Sequence, residues 1–179
     1  DVPRAAYHCG EALRWARKSF DADPANEQAK IDLALAHRCQ GTVYLMSHPS
    51  LAVADFRRSL AITQPILEAK PTVLRHLDDV ANSWWGLASA LRRSGRFADA
   101  EQPYQIAMRL FDQILEKSRE LSYRQQWIHA RMEYGLMRKN GADLEKALAM
   151  ALQAAKDFPG PQTALDAKRA TEARKKVGE

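Results

Sequence analysis

Residues 84–107 read WWGLASALRRSGRFADAEQPYQIA, and the reading of this stretch decides the fold. Trp84, Leu87, Ala88 and Leu91 recur at i, i+3, i+4 and i+7, which gathers them on one face of a helix. Gly95 then ends that helix, because only glycine enters the left-handed conformation of a helix C-cap at little cost. Beyond it, Ala100, Tyr104 and Ala107 continue an apolar stripe along a second helix. The small Ala88 and Ala100 let the two antiparallel helices approach closely, where larger side chains would hold them apart.

The second-helix signature recurs along the chain. Ala12, Ala16, Ser19 and Pro24 have the same spacing as Ala147, Ala151, Ala154 and Pro159, and each proline punctuates a helix end for want of an amide proton. A weaker copy stands at Ala54 and Ala61, preceded on its partner helix by Gly41 and Tyr44. The anchor alanines Ala12, Ala54, Ala100 and Ala147 are separated by 42, 46 and 47 residues. The residues that lengthen the period, such as Ile62, Ile66 and Leu67 or Met108, Phe111 and Leu115, keep helical apolar spacing and so lengthen helices. Helices are predicted over 3–22, 26–46, 50–69, 72–94, 96–118, 121–140, 143–158 and 162–176. The last is mostly polar, with Ala164, Leu165, Ala167, Ala170, Ala173 and Val177 available for one face, as expected of a capping helix.

Residues 84–107 resemble the tetratricopeptide repeat, whose pattern runs W-x2-L-G-x2-Y and then A-x3-F over a period of about 34 residues. Around ADPANEQAKIDLALAHRCQGTVYL (22–45) and GRFADAEQPYQIAMRLFDQIL (95–115) the chain is similar to the long tetratricopeptide arrays found C-terminal to bacterial serine/threonine protein kinases. The resemblance covers residues 3–159. It implies an all-α fold, a right-handed α-α superhelix of antiparallel helix pairs with a C-terminal capping helix, as one helical-repeat domain over 1–179. Within it, 1–24 is the second half of a truncated repeat, 26–70, 72–118 and 121–159 are repeats, and 162–177 is the capping helix. No kinase motif occurs in the chain, so no catalytic role carries over. The chain begins with Asp1 inside an amphipathic pattern, and a fragment of a larger signalling protein is expected, any activity residing in another domain.

The resemblance also implies a ligand along the concave surface made by the first helices of successive repeats. Carried onto this sequence, the groove residues are Arg38 and Thr42, then Asn82, Trp85, Ser89 and Arg92, then His129, Met132 and Lys139. Trp84 takes the motif position that packs between paired helices, whereas Trp85 is rotated from it by about 100° and faces the groove. Aromatic and methionine anchors beside Arg38 and Arg92 suit a peptide or protein partner of acidic character or with a free C-terminal carboxylate. The carboxylate clamp that captures chaperone C-termini is matched only in part. Arg38 stands at its first basic position, but Thr42 replaces the following Asn and Gly86 the central one.

Composition sets the frame. Over 179 residues, 46% hydrophobic and 27% charged residues exclude a disordered chain. No apolar run approaches the roughly 18–20 residues of a membrane span, and no signal peptide stands at the start. A cytoplasmic protein is expected, or an extracytoplasmic segment if the parent has an upstream span. Cys9 and Cys39 sit among apolar helical positions and are expected to be inert core thiols, in keeping with a reducing compartment. Lys and Arg exceed Asp and Glu by 9 to 8 over residues 1–70, 6 to 6 over 71–118 and 12 to 8 over 119–179, so the net +5 gathers in the last third.

No set of residues points to catalysis. His8, His37, His48, His76 and His129 are dispersed without metal-ligand spacing, and no glycine-rich phosphate loop is present. Asp78 and Asp79 are neighbours that diverge on a helix, and both read as solvated carboxylates. Neither cofactor, metal nor small-molecule substrate is expected. A homo-oligomerisation module is the alternative, since incomplete end repeats expose apolar edges. Nucleic-acid binding through Lys168, Arg169, Arg174, Lys175 and Lys176 is less favoured. Asp166, Glu172 and Glu179 are interspersed there, and residues 160–179 hold no aromatic side chain for base stacking.

Overall fold

The computed structural model describes residues 2–178, so Asp1 and Glu179, the ends of the expected domain, lie outside the described residues. The described chain is all-α. It forms α1 (Val2–Ala22), α2 (Glu27–Tyr44), α3 (Pro49–Ala69), α4 (Leu74–Arg93), α5 (Phe97–Lys117), α6 (Leu121–Arg138), α7 (Gly141–Asp157) and α8 (Pro161–Gly178). Every predicted helix is present, its ends within two residues of the expected ones. Local chemistry sets several ends. Asn26 and Asn140 accept hydrogen bonds from the Ala29 and Ala142 amides at the starts of α2 and α7. Gly95 has φ 76°, the left-handed geometry read from the sequence.

The helices form two compact units, Asp1–Ala107 and Met108–Glu179, divided within α5. In the first unit each helix packs on its neighbour in sequence, from α1 to α4, and α2 also touches α4. Lys70 at the end of α3 grips Glu27 at the start of α2 at 2.7 Å, as antiparallel helices with a short connection require. Phe56 is the pivot of this unit. It is 2% exposed and sits between two glycines, Gly41 of α2 and Gly86 of α4. Leu87, Ala88, Leu91, Ala100, Tyr104 and Ala107 are all buried, as the motif predicts. Trp84 differs. It is half-buried and lines an open groove with Leu60, Leu91, Gln102 and Pro103.

The expectation of two core thiols fails. Cys9 of α1 and Cys39 of α2 form a disulfide with Cα atoms 5.5 Å apart. Among the described α1 side chains Cys9 and Ala16 are the buried ones, so this bridge is a main tie of α1 to α2, beside a small cluster of Leu13, Ala16 and Phe20 with Leu33, Ala36 and Ile62. The anchor alanines also diverge. Ala100 and Ala147 are fully buried, but Ala54 is half-buried and Ala12 is exposed.

In the second unit α6 packs on α7, α7 on α8, and α6 also touches α8. Arg124 at the start of α6 pairs with Asp157 at the end of α7, again an antiparallel arrangement. The buried face of α8 is Thr163, Asp166, Ala170 and Ala173, whereas Ala164 and Leu165 of the expected apolar face are exposed.

Candidate binding surface

Asn82, Trp85, Ser89 and Arg92 follow one another along α4 at spacings of three and four, with Arg38 and Thr42 on neighbouring α2. These residues belong to one unit, and the structure shows what each does. Arg38 reaches across the α2–α4 crease to Asp79, Nη2 to Oδ1 3.5 Å. Thr42 is exposed and donates its hydroxyl to the Arg38 carbonyl. Asn82 is half-buried, its amide donating to the carbonyl and carboxylate of Asp78. Trp85 is half-buried. Ser89 is 3% exposed and its hydroxyl lies 3.4 Å from that of Tyr104, to which the Arg92 Nε–H donates at 3.2 Å. Ser89 therefore supports this face from behind, while Arg38, Thr42, Trp85 and Arg92 keep solvent-accessible surface.

Asp79 corrects the reading of a solvated carboxylate. It is 6% exposed, and burial pushes its carboxyl above the ordinary range, with Arg38, Arg75 and His76 pulling in the opposite sense. Its ion pair is loose. Arg38 Nη1 and Asp79 Oδ2 are both buried without a hydrogen-bond partner, so the crease holds one unmet donor and one unmet acceptor.

His129, Met132 and Lys139 belong to the second unit. His129 Nε2 lies 3.0 Å from Oδ1 of Asp166 on α8, a carboxylate 1% exposed that also accepts from the Gln125 and Gln162 amides at 2.9 and 3.1 Å. His129 thus helps to seat α8 on α6. Met132 is half-buried. Lys139 is exposed and caps α6 with φ 51°, the one non-glycine described residue in the left-handed region. Asp166, read in sequence as one charge of a solvated terminal cluster, is the polar core of this unit. Its signal was its place in the Thr163, Asp166, Ala170, Ala173 spacing of a buried face.

Two further polar networks escaped the sequence. His37 Nδ1 meets Asp55 Oδ1 at 3.0 Å in the α2–α3 interface, with Arg58 on the same oxygen. Arg131 pairs with Asp143 at 3.0 Å and lies over the Trp127 ring, while the Trp127 indole N–H donates to Asp112. Both join residues distant in sequence, which no local spacing reveals.

No group of three or more His, Cys, Asp or Glu among the described residues can hold a metal ion. No described helix is long and apolar enough to cross a membrane. No protein-family model and no curated protein matches the chain.

Proposed function

We propose that this chain is a tetratricopeptide-type helical-repeat module that binds a peptide or protein segment and does no chemistry. The observation that carries the reading is the α2–α4 pairing. Arg38 of α2 reaches Asp79 of α4, and Arg38, Thr42, Trp85 and Arg92 on these two helices all keep solvent-accessible surface, which supports reading them as one face with an accessible indole and two guanidinium groups. Such a face suits an extended segment with an apolar anchor and a carboxylate, including a free C-terminus. A recruitment segment of a larger signalling protein, such as a bacterial serine/threonine kinase, is the setting we infer from the likeness of its long repeats. Homo-oligomerisation is the second reading, favoured by the exposure of Tyr7 and Trp15 on α1. On compartment, the Cys9–Cys39 disulfide favours the extracytoplasmic alternative over the cytoplasm, where thiols are kept reduced.

Titration with an acidic peptide library tests the module. An Arg38→Ala, Arg92→Ala double variant loses binding, and so does Thr42→Glu, which sets a negative charge one turn from Arg38 on the exposed side of α2. Equal affinity of wild type and both variants would sink the proposed surface.

A further inference from the structure

A translation of 47 residues carries α1 (Val2–Ala22) onto α3 (Pro49–Ala69), the start of α2 onto the start of α4, and α3 onto α5 within one residue at each end. Three consecutive helices thus recur as a set, α1–α2–α3 and then α3–α4–α5, and each set frames a groove at the equivalent place. The first groove, of about 460 Å³, is lined by Leu13 of α1, His37 and Tyr44 of α2, and Leu51 and Asp55 of α3. The second, of about 540 Å³, is lined by their counterparts Leu60, Trp84, Leu91, Ala98 and Gln102. It stays open with α2 packed on both α3 and α4.

The two grooves differ in how their polar groups are met. In the first, His37 lies 3.0 Å from Asp55 and Arg58 bonds the same carboxylate oxygen, so its charges satisfy one another. In the second, Trp84 stands in place of His37, Gln102 in place of Asp55, and Arg57 where the first has Gly10. The side chains of Arg57, Gln64, Trp84 and Gln102, all on this groove, meet no hydrogen-bond or ion-pair partner among the described residues. Arg96 on the rim is neutralised by Asp99 at 2.7 Å, which leaves the charge of Arg57 uncompensated. Below the rim Leu60, Leu87 and Leu91 are buried. The second groove therefore sets a guanidinium, an indole N–H and two carboxamides, all unmet, over an apolar floor.

We propose that the α3–α4–α5 groove binds an extended acidic segment of another protein, with a carboxylate on Arg57 and an apolar side chain over Trp84 and the leucines. From Arg57 to Gln64 the α3 wall runs about 10 Å, the reach of roughly three residues of extended chain. The backbone of such a segment presents an amide and a carbonyl at each residue, which the Gln64 and Gln102 carboxamides and the Trp84 N–H can answer. The uncompensated guanidinium selects carboxylates over amines. A second copy of this chain is the poorer occupant. Its described connections are four residues or fewer and tied to a helix at each end, so none lies down as an extended strand. The groove is built from residues other than Arg38, Thr42, Trp85 and Arg92, so either surface stands if the other fails.

The test follows the indole N–H signals of the nitrogen-15-labelled chain by NMR, with Trp84→Phe and Trp85→Phe to assign them. Trp84 reports this groove and its neighbour Trp85 the other face. The probes are two short unstructured peptides capped at both ends, one with a central Leu flanked by Glu, the other with Lys in place of each Glu. The acidic peptide shifts the Trp84 signal and binds at least about tenfold more tightly than the basic one. Arg57→Glu, at an exposed position with no partner to lose, reverses that preference. Ala98→Trp, exposed on the first turn of α5, fills the groove and abolishes the Trp84 shift. A Trp84 signal that neither peptide moves, that both move with equal affinity, or that the acidic peptide still moves in both variants overturns the proposal, whatever Trp85 does. So does a concentration-dependent dimer in sedimentation that Ala98→Trp dissolves, which assigns the groove to a second copy instead.

Discussion

Adding one methyl group at Gly86 tests the account of the first unit most directly. A Cβ built there falls 2.2, 2.5 and 2.6 Å from Cε1, Cζ and Cδ1 of Phe56. Carbon atoms in contact prefer about 3.5 Å or more, so ring and helix must separate by roughly 1.3 Å. Phe56 has no room to retreat, being 2% exposed and flanked on its other side by Gly41. Overpacking of this kind costs about 1–3 kcal/mol, and the size of the clash places Gly86→Ala near ~3. Replacing a mid-helix glycine returns about 1 kcal/mol of helix propensity, leaving a net loss of about 2 kcal/mol. Gly41→Ala is the internal control. Its Cβ meets the same ring at 3.1 Å, a relaxation of a few tenths of an ångström, so the propensity gain cancels the clash and stability stays within about 0.5 kcal/mol of wild type. Thermal unfolding followed by circular dichroism should show Gly86→Ala melting about 4–8 °C lower and Gly41→Ala nearly unchanged. Phe56→Leu, which shortens the obstructing side chain, should lessen the effect of Gly86→Ala in a double-mutant cycle. A Gly86→Ala protein as stable as wild type would refute the clamp of two glycines on one ring.

Reduction of the Cys9–Cys39 bridge, or Cys9→Ser with Cys39→Ser, releases a cross-link spanning 30 residues, worth about 3–4 kcal/mol of chain entropy. The loss is expected in α1 first, seen as rapid amide exchange over 2–22 while α3 and α4 stay protected; unchanged exchange in α1 would contradict it. Because burial raises the Asp79 carboxyl, the folded state holds that proton more tightly than the unfolded state does. Wild-type stability contributed by this group is therefore present below about pH 3.8 and declines as pH rises through the raised value, so Asp79→Asn gains on wild type between pH 4 and pH 7. Urea midpoints of the two proteins that stay parallel across that range would count against it. Asp166→Ala removes the acceptor shared by half-buried His129 and Gln125 and exposed Gln162, and is expected to lower stability by about 1–3 kcal/mol, measured by urea unfolding; an unchanged midpoint would mean the network is dispensable.

Much of the helical plan was legible in the chain itself. Apolar residues at i, i+3, i+4 and i+7 and the left-handed Gly95 are consequences of local geometry, so the helices and the burial of Leu87, Ala88, Leu91, Ala100, Tyr104 and Ala107 follow from spacing, while Trp84 of the same stripe stays half-buried. What spacing cannot report is which distant side chains meet. The pairing of Cys9 with Cys39, the burial of Asp79 by Arg38, and the three donors around Asp166 depend on helices brought together by packing. In isolation each carboxylate reads as a solvated charge, because burial of a charge is rare unless a partner arrives from elsewhere in the fold. The candidate surface divides the same way. Arg38, Trp85 and Arg92 came from the resemblance to tetratricopeptide repeats, while tertiary packing alone withdrew Ser89 and His129 from the surface, the one behind Tyr104 and the other onto Asp166.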